Sequence, residues 1–229
     1  MRDRLLRRGR RWLAAVVVLI AVSAAAAPQS RGESIEGLVK DPQGAPVADA
    51  VIFATSVSGG RPPARTARAI VDQQDKEFVP HVRPILAGTE VTFPNKDDIR
   101  HHVYSFSPAK KFELPLYKGT QAPPMTCDKS GIVILGCNIH DWMVGYVYVL
   151  DTPYFETTAA DGRARIANVP AGTYEVQVWH PRMPETRSPP KQRVTISAGK
   201  DERIEFVTPL KPDLRLRRAP SGAGGGKYR

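Results

Sequence analysis

The feature that most constrains this chain is its punctuation. Short runs of β-branched or alternating apolar residues are cut every few positions by turn residues, and no run places its apolar residues at helical spacing. "GLVKDPQGAPVADAVIFATS" reads as strand, turn, strand, with "DPQGAP" as the turn, and "RVTISAGKDERIEFV" reads as a hairpin turning at Gly199-Lys200-Asp201. Between them lie apolar runs at 69–71, 82–86 and 91–93, then "HHVYSFS", "GIVILGC" and "VGYVYVL", while residues 108–128 are proline-rich and read as irregular. A chain with Gly 18 and Pro 21 among 229 residues, and 41% hydrophobic residues to fill a core, is predicted to be all-β, an antiparallel sandwich.

Residues 1–27 stand apart. "MRDRLLRRGRRW" is basic, and the apolar run "LAAVVVLIAVSAAAA" that follows ends in small residues, the pattern of a cleaved secretory signal with its cut near Ala26 or Ala27. The run is roughly 15 residues long, short of the roughly 20 that span a bilayer, so no stable membrane span is expected after cleavage. The pair Arg10-Arg11 before Trp12-Leu13 hints at a twin-arginine signal, which would allow export of an already folded, metal-loaded protein. The expected location is periplasmic or secreted. About half of the formal charge of +10 belongs to this leader, and much of the rest to the glycine-rich basic tail, residues 210–229, which is expected to be disordered. An exported protein of this balance is not expected to bind nucleic acid.

The cysteines then become the central question. An oxidising compartment suggests a Cys127–Cys137 disulfide. Against it stands "LGCNIHDWMVGYVYV", which sets Cys137, His140 and Met143 within seven residues, in a loop between two strands. Thiolate and thioether hold copper(I), imidazole suits both oxidation states, and two histidines with one cysteine and a weak methionine make an electron-transfer copper site. Zinc is the lesser alternative, because methionine serves it poorly. The fourth ligand must come from elsewhere. His81 sits among turn residues, and His180 in "VWHPR" has no evident partners. His101 and His102 lie at the mouth of a strand, and since neighbours on a strand face opposite ways, only one of them can serve.

These residues carry a resemblance. "GTEVTFPNKDDIRHHVYSFS" followed by "GCNIHDWMVGYVYVLD" resembles the type 1 blue-copper proteins, the cupredoxins, and the C-x-x-H-x-x-M spacing is similar to that of amicyanin and of the cupredoxin-like proteins linked to methylamine utilisation. The resemblance implies a Greek-key sandwich over residues 65–151. It also implies one copper ion held by His101, Cys137, His140 and Met143, with His102 as the alternative to His101. His102 stands where such proteins carry an asparagine, and Asn138, Asp141 and Trp142 replace a proline-rich filling. The flanks resemble a second family. "GLVKDPQGAPVADAVIFA" and "TTAADGRARIANVPAGTYEVQVWHP" are similar to the two parts of a carboxypeptidase-regulatory-like, transthyretin-type sandwich. The cupredoxin segment is therefore expected to be inserted into, or fused with, a second small sandwich made of residues 33–64 and 152–209.

The function expected from the resemblance is single-electron transfer, not catalysis. The partners would be redox proteins such as a cytochrome or a dehydrogenase, reached through the edge of His140 and the adjacent Trp142. A copper carrier or store, or a structural or carbohydrate-binding sandwich with a degenerate metal site, would use the same framework differently.

Overall fold

The computed structural model describes residues 33–59, 67–119, 122–184 and 189–213. The expected signal segment, the expected linker at residues 60–65 apart from its flanks, and most of the expected tail lie outside these residues. The described chain is all-β, and no helix occurs among the described residues. Its strands, in chain order, are β1 (Glu33–Lys40), β2 (Val51–Ser56), β3 (Arg68–Ile70), β4 (Asp72–Gln74), β5 (Glu77–Val79), β6 (Val82–Leu86), β7 (Thr89–Thr92), β8 (His101–Ser107), β9 (Lys110–Tyr117), β10 (Met125–Cys127), β11 (Gly131–Gly136), β12 (Val144–Leu150), β13 (Phe155–Thr157), β14 (Arg163–Val169), β15 (Gly172–Trp179), β16 (Lys191–Ile196) and β17 (Glu202–Val207).

They form two sandwiches. In the first, a five-stranded sheet in the order β6-β12-β11-β8-β9 faces a three-stranded sheet β10-β7-β3, and the small hairpin β4-β5 closes one side. Phe78, Val91, Val103, Leu135, Cys137, Met143 and Val147 share the core between them. In the second, the sheets β14-β1-β17 and β13-β2-β15-β16 enclose Ile35, Val39, Ile52, Val176, Ile204 and Phe206. The strands at 33–56 pair with strands at 155–207 and with none between.

The two sandwiches meet along a third apolar cluster. Val51 and Phe53 of β2, Val82 of β6 and Leu150 of β12 are buried there, with Tyr146, Tyr148, Phe155 and Trp179 packed around them. This explains the continuous apolar run "VIFA" in β2, all four residues of which are buried. Ile52 and Ala54 enter the core of their own sandwich, while Val51 and Phe53 face the neighbouring one. Period-2 geometry with both faces covered produces a run rather than an alternation. In β12, Val147 and Val149 point into the first core and Tyr146 and Tyr148 into the junction, where the Tyr148 ring stands edge-on to Phe53 at 5.5 Å.

Three expectations are corrected, and one element is new. Residues 108–128 are not irregular but carry β9 and β10. Proline misled the reading: β9 is an edge strand, and Pro115 lies where two residues of β9, Pro115 and Leu116, oppose His102 alone on β8, between the pairs His101↔Tyr117 and Val103↔Leu114. An edge bulge is where a strand tolerates proline. Second, β16 and β17 do not pair as a hairpin. β16 joins β15, whereas β17 crosses to the other sheet and runs alongside β1. Third, the sheets are not purely antiparallel, since β1/β17, β6/β12 and β3/β7 are parallel. Finally, the β4–β5 hairpin was not foreseen. Its turn residues Asp75 and Lys76 both have positive φ, at 56° and 62°, and no glycine marks the turn.

Gly162 shows how tightly the second sandwich is built. Its φ is +75°, and a Cβ placed there would lie 2.5 Å from the Val39 carbonyl oxygen. That oxygen belongs to a strand that cannot move aside, because the Val39 N–H donates to the Gly162 carbonyl at 2.8 Å. Gly162→Ala is therefore expected to destabilise the protein by about 2–3 kcal/mol, combining the left-handed backbone penalty with steric overpacking. Thermal unfolding measures it, and an unchanged melting temperature would contradict this packing.

Candidate metal centre

The centre is assembled at one end of the first sandwich. β8 begins at His101, and β11 ends at Gly136, immediately before Cys137. Gly136 pairs with Tyr104 of β8 on one side and Val144 of β12 on the other. A residue just past the end of β11 therefore lies beside the start of β8. Gly136 also makes room: a Cβ at this position would come within 2.7 Å of the Tyr104 ring. From Cys137 the chain turns through a short loop whose end is closed by the Met143 N–H donating to the His140 carbonyl at 3.0 Å.

This geometry brings His101, Cys137 and His140 together. Their ligand atoms lie within 4.8 Å of one another and all three side chains are buried. Nδ1 of His101 and Nδ1 of His140 each lie 3.9 Å from Cys137 Sγ. An ion about 2.3 Å from sulfur and about 2.0 Å from nitrogen separates those two atoms by about 3.7 Å in a trigonal plane and by about 3.5 Å in a tetrahedron. The observed spacing is close to both, and one thiolate with two imidazoles is a donor set suited to copper. The donor set thus fits copper. Met143 is buried in the same core cluster at the end of the loop.

His102 is directed elsewhere. Its Nε2 meets Glu113 Oε1 at 2.9 Å, and its ring packs beside Tyr104. His81 stands edge-on to Tyr146, and His180 Nδ1 accepts the Arg182 N–H at 3.0 Å. Neither belongs to the cluster. Cys127 and Cys137 are both free and buried, with no bond between them.

Further contacts fix His101, and no sequence signal marks them. Nε2 of His101 lies 2.7 Å from Asp97 Oδ2. Asp97 in turn accepts the N–H groups of Asp75 at 2.7 Å and Lys76 at 2.9 Å, from the positive-φ turn of the β4–β5 hairpin. Asn95 braces the loop: its side-chain oxygen accepts the Asp97 N–H, and its amide donates to the carbonyls of Ile99 and Tyr117. A carboxylate on one ring nitrogen holds the proton there and leaves the other nitrogen's lone pair for a metal. Asp97 and His101 are four residues apart in a loop, where no periodicity links them, so only the folded hairpin reveals their relation.

Charge follows the same plan. Burial pushes the Asp97 carboxyl up, but the Lys76 N–H, the His101 ring, the Asp75 N–H and the charge on His101 together hold it below the usual carboxylate range. Burial pushes His140 below the ordinary histidine value, assisted by the positive charges of His101 and Lys76 and opposed by Asp97. A lowered value keeps His140 neutral, as ligation requires. Asp97→Asn is expected to leave the protein folded and to weaken metal affinity by about 10–100-fold. Competition with a copper chelator measures this. Unchanged affinity would limit Asp97 to bracing its loop.

Comparison with known proteins gives partial matches. Residues 129–204 match a family described as polysaccharide lyase family 4, domain II. No curated protein matches the chain. Among solved structures, a copper-containing nitrite reductase from Thermus scotoductus is similar at 24% identity and a TM-score of 0.35, over 42% of this chain and 25% of its own, so the chain spans about a quarter of that enzyme. A purple cupredoxin from Nitrosopumilus maritimus is similar at 24% identity and a TM-score of 0.32, over 37% of this chain and 99% of its own. An oxidised amicyanin mutant is similar at 21% identity and a TM-score of 0.33, over 43% of this chain and 99% of its own.

Proposed function

We propose that this protein is an exported type 1 copper protein that carries single electrons between redox proteins. The observation that carries the reading is the convergence of one buried thiol and two buried imidazoles, each presenting Nδ1 to the sulfur at 3.9 Å. Cys137, His101 and His140, with Met143 at the end of the same loop, are the residues that would hold the copper ion. Bound copper supplies a one-electron couple between its two oxidation states.

The chain's own residues do the rest. Cys137 gives up its proton to ligate. Asp97 keeps a proton on His101 Nε2, so that Nδ1 faces the centre. Strand ends on β8 and β11 hold ligands from two directions, which resists rearrangement when the charge at the centre changes. The loop keeps the His140 ring beside Trp142, with centroids 5.1 Å apart, and this pair is the route to a partner such as a cytochrome or a dehydrogenase. With the ligand positions taken by side chains there is no place for a substrate, so the reading is of a carrier and not an enzyme. The leader supports a periplasmic or secreted location. The pairing of residues 33–56 with 155–207 supports a cupredoxin domain, residues 65–151, inserted into a second sandwich.

Titration of the metal-free protein with copper(II) tests the reading. An intense visible band that saturates at one equivalent and bleaches with a reductant is expected. Binding without such a band would remove the thiolate from the centre.

A further inference from the structure

We propose that the outer face of β11, β8 and β9 docks a second copy of this chain about a two-fold axis. That face belongs to the sheet β6-β12-β11-β8-β9, whose inner side sends Val103, Leu114, Val133 and Leu135 into the first core. Residues that alternate with these point outward. On β12 the outward residues Tyr146 and Tyr148 are covered by the second sandwich. The apolar surface does not stop there. Ile134 and Ile132 of β11 pair directly with Tyr146 and Tyr148, and β8 follows with Tyr104 and Phe106. Ile134 is 49% exposed and Phe106 73%. A sheet that is apolar on both faces needs cover on both, and within one chain the cover ends halfway across.

The uncovered rings are held in place. Phe106 lies 5.1 Å from Tyr104, and the Tyr104 ring rests against Gly136 and lies 5.5 Å from His102. Rings fixed in a row offer contact area with little side-chain freedom left to lose.

Charge indicates what covers them. Lys111 stands opposite Phe106, and Glu113 opposite Tyr104. Directly opposed residues share a face, so this lysine and this glutamate border the rings. Lys111 is exposed and forms no ion pair among the described residues. The Glu113 side chain is 68% exposed and meets His102 alone among them. An axis lying in the face, across the strands and midway between these two levels, sets Lys111 of each copy over Glu113 of the other. The same axis sets Phe106 of each copy over Tyr104 of the other. One operation thus satisfies the charges and the rings together, as an isologous contact requires. None of the converging donors lies on this face, so the inference stands apart from the copper reading.

The size of the face sets the strength. Three strands of about seven residues present about 14 Å by 23 Å, less than the roughly 800 Å² per partner of a standard stable interface. The dimer is therefore reversible, with a dissociation constant in the micromolar to millimolar range.

Sedimentation of the full-length protein at low salt, over about 1 µM to about 1 mM, tests the proposal. A monomer–dimer equilibrium is expected. Phe106→Asp should weaken it at least about tenfold. Lys111→Glu and Glu113→Lys should each weaken it about tenfold, because every dimer then carries two like-charge contacts. An equimolar mixture of these two variants restores both opposite-charge contacts and should dimerise as the parent does. Circular dichroism should show all three variants folded, since the altered side chains are exposed. A monomer at every concentration overturns the proposal and gives the face to a partner of another kind. Association insensitive to Phe106→Asp overturns it by placing the contact elsewhere, and a mixture no better than its components overturns the two-fold pairing.

Discussion

Cys137→Ser should abolish the intense visible band of the copper(II) protein, while Cys127→Ser should leave it in place. Cys137 Sγ lies 3.9 Å from Nδ1 of both His101 and His140, so removing its sulfur removes the charge-transfer donor. Cys127 is on β10, paired with Thr89 of β7, in the opposite sheet. Burial pushes its thiol up, partly offset by Lys110 and reinforced by Asp128, which keeps it protonated and inert. Serine at position 127 still buries a polar group in the core and should cost about 1–3 kcal/mol of stability. Absorption spectra of the two variants at matched copper separate these effects. Loss of the band in both alike would mean that the cysteines act as a pair.

The adjacent histidines should differ as strongly. His101→Ala removes a ligand and leaves the Asp97 carboxylate without its ring partner, so both the visible band and tight copper binding should disappear. His102→Ala removes a contact with Glu113, whose side chain is 68% exposed. Such a pair contributes at most about 1 kcal/mol. The band should persist, with at most a small displacement caused by the altered start of β8. Copper stoichiometry and absorption read both variants, and the reverse pattern would transfer the ligand role to His102.

How much of this was legible depends on how local each signal is. Cys137, His140 and Met143 announce themselves because three soft or borderline donors within seven residues have few other purposes. His101 required a long-range inference: strand alternation at the mouth of β8 lets only one of the two neighbours serve, and it was the resemblance that favoured His101 over His102. Asp97 and Asn95 were illegible, because a loop has no period and their partners, the N–H groups of Asp75 and Lys76, belong to a hairpin that lacks a glycine. The all-β class follows from turn punctuation, but sheet membership does not. Ile204 and Phe206 alternate as well for a hairpin with β16 as for a place beside β1, and only the core they fill decides between the two. The apolar run 51–54 was visible, but its meaning, burial against two sandwiches at once, needed the second sandwich in view. The same junction means that residues 66–151 on their own would expose Val82, Tyr146, Tyr148 and Leu150 to water.

The central claim is that the copper stays while the electron leaves. A carrier must bind both oxidation states in nearly one geometry, whereas a delivery protein must release one of them. Here the thiolate and thioether suit copper(I), the imidazoles suit copper(II), and all three converging donors are buried on strand ends or a closed loop. The decisive measurement is repeated reduction and reoxidation of the copper-loaded protein in the presence of a moderate copper(I) chelator, with metal content and absorption followed together. The account predicts that the visible band bleaches and returns in full over several cycles, with one copper retained per chain. Rapid transfer of copper(I) to the chelator on first reduction, with no recovery of the band, would contradict it and identify the protein as a copper carrier.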